Sequence, residues 1–225
     1  SPWAPVSMTK LVELIDEAGF PPGVINLVNG EVEPVTEILE NPGVRGVSFV
    51  GSTKIGRDVI YRKGAAHGKR VQAQCGAKNF LVVTPDADLE LTVSSLMSSF
   101  FGNTGQRCLA GANLVFAGND QAFMDKTLGV IKERAAALKM GYGLEEGVQL
   151  GPLQAEHRKK RVVGYIEKGL EEGATLTMDG REYSCDPYPE TCFLGPSIFE
   201  GVNLDMTIAR EEIFGPVMSV LTAEN

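Results

Sequence analysis

Cys108 stands directly after Gly102-Asn103-Thr104-Gly105-Gln106-Arg107, a stretch whose glycines let the backbone turn sharply and approach a ligand closely. A thiol delivered at such a turn is a candidate nucleophile, because covalent attack by cysteine splits one difficult displacement into two easier ones. An unperturbed thiol, with a pKa of about 8.5, is only a few per cent thiolate at neutral pH. Activation therefore calls for a positive field, and Arg107 and the free backbone amides of the turn are the candidates to supply it. Most lone cysteines are small buried hydrophobes, and Cys75, Cys185 and Cys192 read that way. The four cysteines form no close Cys-x-x-Cys pair, so no metal centre is expected. They are also too few to act as a disulfide framework in a chain of 225 residues. The two histidines, His67 and His157, stand among lysines and arginines in stretches that read as solvent-facing. A Cys-His hydrolase is thus not indicated, although chain order alone leaves it open, since triad members meet in space.

Two further clusters could hold a ligand. Gly51-Ser52-Thr53-Lys54-Ile55-Gly56 lies between an expected strand and an expected helix, where glycines and unpaired amides can receive a pyrophosphate. The same residues also fit a simple strand-to-helix turn capped by Ser52 or Thr53. They do not spell the Gly-x-Gly-x-x-Gly dinucleotide fingerprint. Glu211-Glu212 precedes Ile213-Phe214-Gly215-Pro216 and an apolar run, and taken alone it reads as a solvated turn.

The elements that must position these residues alternate. Met8, Leu11, Val12, Ile15 and Ala18 recur at helical spacing, with Ser7 as the expected N-cap and Gly19 as the stop. Strands are expected over 24–28, 46–50, 70–74, 80–83, 113–117 and 174–178, with further strand-like patches near Phe193 and over 217–221. Helices are expected from Ser7, from near Pro34, from after the Gly51-Ser52-Thr53 break to about Lys63, from Asp88 towards Phe101, over 120–138 and over 155–170. The polar, Pro-containing stretch 181–189 reads as a surface loop. Helices alternating with short strands imply an α/β fold built on a mostly parallel sheet. The formal charge of −8 argues against nucleic acid, whose phosphates require an excess of Lys and Arg, and favours a small-molecule partner. No stretch approaches the roughly 20 apolar residues of a membrane span, and the first residues lack the order of a signal peptide. A cytoplasmic or organelle-matrix location is the corresponding expectation.

Four separated segments, taken in order, resemble the aldehyde dehydrogenase family: Phe49-Val50-Gly51-Ser52-Thr53-Lys54-Ile55-Gly56, Gly76-Ala77-Lys78-Asn79, Gly105-Gln106-Arg107-Cys108, and Glu211-Glu212-Ile213-Phe214-Gly215-Pro216. The resemblance implies a parallel-sheet, Rossmann-like cofactor-domain part over residues 1–76, followed by an α/β catalytic-cysteine domain over 77–225. It implies that Cys108 is the nucleophile and NAD the cofactor. The pyrophosphate would lie near Gly51 and Ser52, Glu212 would hold the nicotinamide ribose, and Phe214 would line that side of the site. A small-molecule aldehyde would be the substrate, and a homo-oligomer the expected assembly.

One departure bears on mechanism. The family pattern Glu-Leu-Gly-Gly-Lys reads Gln74-Cys75-Gly76-Ala77-Lys78 here, so an amide replaces the general-base glutamate. A positioned base contributes roughly 10²–10⁴-fold, and hydrolysis of an acyl-enzyme is expected to suffer without it. The branch similar in this respect is that of the methylmalonate-semialdehyde dehydrogenases, which pass the acyl group to coenzyme A. Family members are about twice as long as this chain, so the resemblance implies a piece of a longer enzyme. The adenosine-side lysine and the oxyanion asparagine would then lie before Ser1, and an oligomerisation strand after Asn225. Pro2 and Trp3 stand where the close branch usually has Glu and Arg, which puts adenosine-side recognition in question.

Overall fold

Proline at position 5 sets the first turn of the chain. Its φ of −84° is already near-helical, and Thr9 Oγ1 donates to its carbonyl at 3.1 Å, so α1 spans Val6–Glu17. The expected N-cap, Ser7, therefore lies inside the first turn and caps nothing. Gly19, at φ +79°, ends the helix as expected, with its N–H bonded to Asp16 O. The computed structural model describes residues 4–118, 120–186, 188 and 192–224. Pro2 and Trp3 lie outside them.

The chain divides into two compact units, Ser1–Gly76 and Ala77–Asn225. In the first, α1 is followed by α2 (Val32–Glu40) and β1 (Gly46–Val50). A helical run then comprises α3 (Thr53–Ile55), a π-helical stretch (Gly56–Tyr61) and α4 (Arg62–Ala66). It leads to β2 (Arg70–Gln74), which pairs parallel to β1. The expected strand at 24–28 does not form. A strand must pair its N–H and C=O groups with a neighbour, and among the described residues β1 and β2 pair only with each other. Val24, Ile25, Leu27 and Val28 are consequently exposed.

The second unit holds a five-stranded sheet in the order β3-β4-β7-β6-β5, made of β3 (Phe80–Val83), β4 (Asn113–Ala117), β5 (Thr175–Met178), β6 (Ser197–Glu200) and β7 (Val217–Ala223). All neighbours run parallel except β5 and β6. Its helices are α5 (Leu89–Phe101), α6 (Gln121–Ala136), α7 (Glu156–Glu171) and α8 (Thr207–Arg210). Asp88 and Asp120 cap α5 and α6 by accepting from Leu91 N and Phe123 N.

The sheet is covered on both faces, which explains why its central strand reads as a nearly unbroken apolar run. Met218 and Val220 of β7 point to one core, with Leu96 and Phe100 of α5 and Leu128 and Ile131 of α6. Val217 and Leu221 point to the other, with Val162 and Ile166 of α7 and Ile208 of α8. The strand-like patch near Phe193 is corrected by four residues, to β6. Gly195 N bonds Gly180 O at 3.0 Å, and Tyr183 packs on Gly195, so the chain around Phe193 is tied to 180–183 instead of the sheet. Arg181, Glu182, Ser184 and Asp186 are exposed, in keeping with the surface-loop reading of 181–189. Gly180–Glu182 is a 3₁₀ turn and Cys185 is buried, while Pro187 and Pro189 lie outside the described residues. Helix α8 had no clear sequence signal, being a single turn.

Candidate active site

After α5 the chain cannot continue as a helix, because Asn103, Thr104 and Gly105 take φ of +51°, +55° and +66°. Three successive left-handed residues, two of them not glycine, are costly and need external support. Buried Thr104 donates from Oγ1 to Gly151 O at 2.8 Å. Gln106 accepts from Gln154 N at 2.9 Å. Arg107 donates from Nη2 to Ser98 O at 2.6 Å and to Ser99 O at 3.0 Å. Ser99 Oγ accepts from Gly111 N at 3.0 Å. Cys108 follows, exposed, with its carbonyl oxygen held at 2.8 Å by the side-chain amide of Asn79.

This geometry gives Arg107 a structural role. Its guanidinium caps the C-terminal carbonyls of α5, where the helix dipole favours a cation, so it fastens the turn. Among the described residues no hydrogen bond engages the N–H of Cys108 or Leu109. The other thiols are differently placed. Cys185 is buried, and that burial, with Glu145 and then Asp186 adding to it, pushes its thiol up. Cys192 is half-buried. In the first unit Cys75 is half-buried and so close to Gly56 that a side chain there would collide with its sulfur.

Glu212 and Phe214 line a small cavity of about 20 Å³ with Lys78, Asn79 and Gly105. Glu212 Oε1 accepts from Ala77 N at a long 3.5 Å, which leaves the carboxylate largely available. Helix α7 fixes this segment: Arg161 donates to Glu212 O at 3.0 Å, and Tyr165 donates from its hydroxyl to Glu211 at 2.7 Å. Phe214 sits at φ +62°, another strained position beside the cavity. A larger apolar cavity of about 310 Å³ lies between α1 and residues 20–27. None of the candidate residues lines it.

Lys78 belongs to the same wall, and no role for it was legible in one dimension. Among the described residues its buried ammonium nitrogen has no hydrogen-bond partner. Burial pushes its pKa down to about 8 from an ordinary 10.5, with Glu212 and then Glu211 pulling it back up. The folded state thus disfavours the charged form. Between about pH 8 and 10.5 the unfolded chain holds more protons at this residue than the folded one, so stability is expected to rise with pH across that window. The gain is at most about 3 kcal/mol. Denaturant titrations at about pH 7.5 and about pH 10, on the native protein and on Lys78→Met, check this. The expected result is a rise in the native protein that the Met variant lacks, and parallel pH dependence of the two would overturn it.

Gly51 and Ser52 lie in the first unit, exposed, at the start of the helical run. Ser52 occupies the N-cap position, with no side-chain bond to the helix. Thr53 Oγ1 instead accepts from Gly76 N at 3.1 Å, and Gly51 N bonds Gln74 O. Ser52 and the residues of the first turn are exposed, as an anion site requires.

The aldehyde dehydrogenase family profile matches residues 1–225. The malonate-semialdehyde dehydrogenase of Listeria monocytogenes serotype 4b (strain CLIP80459) is 48% identical over 221 residues, covering 98% of this chain and 44% of that protein. Malonate-semialdehyde dehydrogenase 1 of Geobacillus kaustophilus is 46% identical over the same shares. A crystal structure of methylmalonate-semialdehyde dehydrogenase from Oceanimonas doudoroffii superposes with a TM-score of 0.89 at 38% identity, over 96% of this chain and 44% of that one. A Sinorhizobium meliloti protein assigned to the same activity and complexed with NAD gives 0.90 at 37% identity, over the same shares. This chain spans 44% of the length of the curated relatives it matches. With its motifs in register and its fold shared throughout, the chain belongs to the aldehyde dehydrogenase family.

Proposed function

We propose that this chain carries the nucleophile and part of the cofactor site of an NAD-dependent semialdehyde dehydrogenase that transfers its acyl product to coenzyme A. The observation that carries the reading is Cys108, an exposed thiol on a left-handed turn fastened by five side chains. The relatives' names, malonate- and methylmalonate-semialdehyde dehydrogenase, support the substrate class, and the NAD complex of one neighbour supports the cofactor. The residues present fit NAD: Gly51 and Ser52 offer an anion site at a helix start, and Glu212 offers a carboxylate with little else to bond. These residues would hold its pyrophosphate and nicotinamide ribose, with Phe214 beside the latter.

In the proposed reaction the Cys108 thiolate forms a C–S bond to the aldehyde carbon, and the carbonyl π pair becomes an alkoxide on oxygen. The free N–H groups of Cys108 and Leu109 are the donors at hand for that charge. Bound NAD supplies the acceptor for the hydride that leaves the carbon. The product on the protein is a thioester at Cys108. The coenzyme A thiolate then attacks the acyl carbon, the bond to Cys108 breaks, and the cysteine leaves as thiolate. Glutamine at position 74 supplies no carboxylate to deprotonate water, whereas a thiol is intrinsically the better nucleophile and tolerates that loss.

Product analysis on the full-length enzyme tests the acylating step. Coenzyme A is expected to accelerate turnover about tenfold or more and to appear in the product as its acyl thioester. Equal rates with and without it, with free acid as the only product, would overturn the reading in favour of hydrolysis.

A further inference from the structure

We propose that Asn79 is a positioning residue for the nucleophile, and that it acts by donating both hydrogens of its side-chain amide to the backbone of the Cys108 turn. The proposal rests on the reading of Cys108 as nucleophile. Asn79 Nδ2 lies 2.8 Å from Cys108 O and 2.8 Å from Ala110 O. Its own backbone carbonyl accepts from Ala112 N at 3.2 Å and Asn113 N at 2.9 Å. Asn79 thus binds backbone groups of Cys108, Ala110, Ala112 and Asn113, immediately before β3 pairs with β4 at Phe80 and Asn113. The other side chains that fasten the turn act on residues 104, 106, 98–99 and 111. Among the described residues, Asn79 is the side chain that reaches residue 108 itself.

The chemistry selects asparagine. Two carbonyls must be served by one group, and a primary amide offers two donors on one nitrogen. Aspartate has the same shape and, ionised, only acceptors, so it would face two carbonyl oxygens with no hydrogen to share. Fixing the Cys108 carbonyl also fixes the plane of the 108–109 peptide, because that unit is rigid and trans. The Leu109 N–H is thereby held pointing away from Asn79, and the Cα of Cys108, which lies in that plane, is held with it. Without the amide, residue 108 keeps no side-chain tether of its own on an exposed turn, and small misplacement of a nucleophile is costly.

The test compares native full-length enzyme with Asn79→Ala and Asn79→Asp. The readouts are the single-turnover burst of NADH, the rate of Cys108 alkylation by iodoacetamide mapped by peptide mass, and the KM for NAD. Both variants are expected to lose about 10- to 100-fold in burst rate, with KM for NAD within about twofold of native. Asn79→Asp is expected to recover, relative to native at each pH, as the pH falls and its carboxyl gains a hydrogen to donate. A residue that only fills space would let the isosteric aspartate behave as native, so a native burst rate for Asn79→Asp near neutral pH overturns the proposal. Asp decides the matter even if the alanine variant folds poorly. An acyl group that maps to another cysteine in native enzyme overturns the reading of Cys108 and this proposal together. Acyl on Cys108 with unchanged Asn79 variants overturns only this one.

Discussion

Replacing Cys108 with serine is expected to abolish acyl-enzyme formation in the full-length enzyme, with a loss of about 10⁴-fold or more in turnover. A hydroxyl is far less acidic than a thiol, and among the described residues the side chains that fasten the turn, Asn79, Ser99, Thr104, Gln106 and Arg107, each engage backbone and include no histidine. Serine replacements at Cys75, Cys185 and Cys192 are expected to leave the chemistry intact, since Cys185 is buried with its thiol pushed up and the others are half-buried. The measurement is intact-protein mass after incubation with aldehyde and NAD, followed by peptide mapping. An acyl adduct that persists in Cys108→Ser, or that maps to Cys75, would refute the assignment.

The second large effect is structural. A Cβ at Gly105 would stand 2.2 Å from Gly215 O and 2.5 Å from Gly215 C, at φ +66°. Both atoms are backbone, so no rotamer change relieves the overlap. The left-handed conformation adds about 1–2 kcal/mol for a side chain, and overpacking adds about 1–3 kcal/mol. Gly105→Ala is therefore expected to cost about 2–5 kcal/mol, out of the roughly 5–15 kcal/mol that is typical of a domain. Because Gly215 adjoins Phe214, the displacement would reach both the Cys108 turn and the Glu212 segment. Gly164, exposed within α7, has nothing within 4 Å of the place a Cβ would occupy and is the control. There alanine is expected to stabilise by about 0.5–1 kcal/mol. Urea titrations of the two variants check the pair, and a Gly105→Ala midpoint close to native would refute the packing argument.

These residues differ in how far the sequence exposed them. Cys108 was legible because two glycines and its motif company set it apart from three unremarkable cysteines. Glu212 was not, since two acids before a glycine and a proline read as a solvated turn until the resemblance assigned them a role. Arg107 was read for its charge, and the sequence did not show that its guanidinium also binds the carbonyls of α5, a partnership that depends on where that helix ends. Asn79 and Lys78 sat in a quoted motif without a function, because both roles depend on what lies across a gap of roughly thirty residues or more.

The sequence by itself determined the local elements wherever a periodic pattern was bounded by a cap or a breaker. Gly46–Val50, Arg70–Gln74, Phe80–Val83 and Asn113–Ala117 follow their apolar runs residue for residue, and Asp88 and Asp120 announce their helices. It also determined the family, through motifs whose order survives in one dimension. Tertiary structure alone decided which apolar runs became strands: 24–28 carries the pattern but finds no partner for its backbone, and the chain just past Phe193 is tied through Gly195 to Gly180 and Tyr183 instead of a sheet. It alone decided that the Cys108 turn is fastened by Asn79, Thr104, Gln106, Arg107 and Ser99. Pattern and propensity act within a few residues of chain, so they specify an element. Pairing, capping of carbonyls by a distant guanidinium and the burial of one ammonium depend on long-range contacts, which only the folded chain supplies.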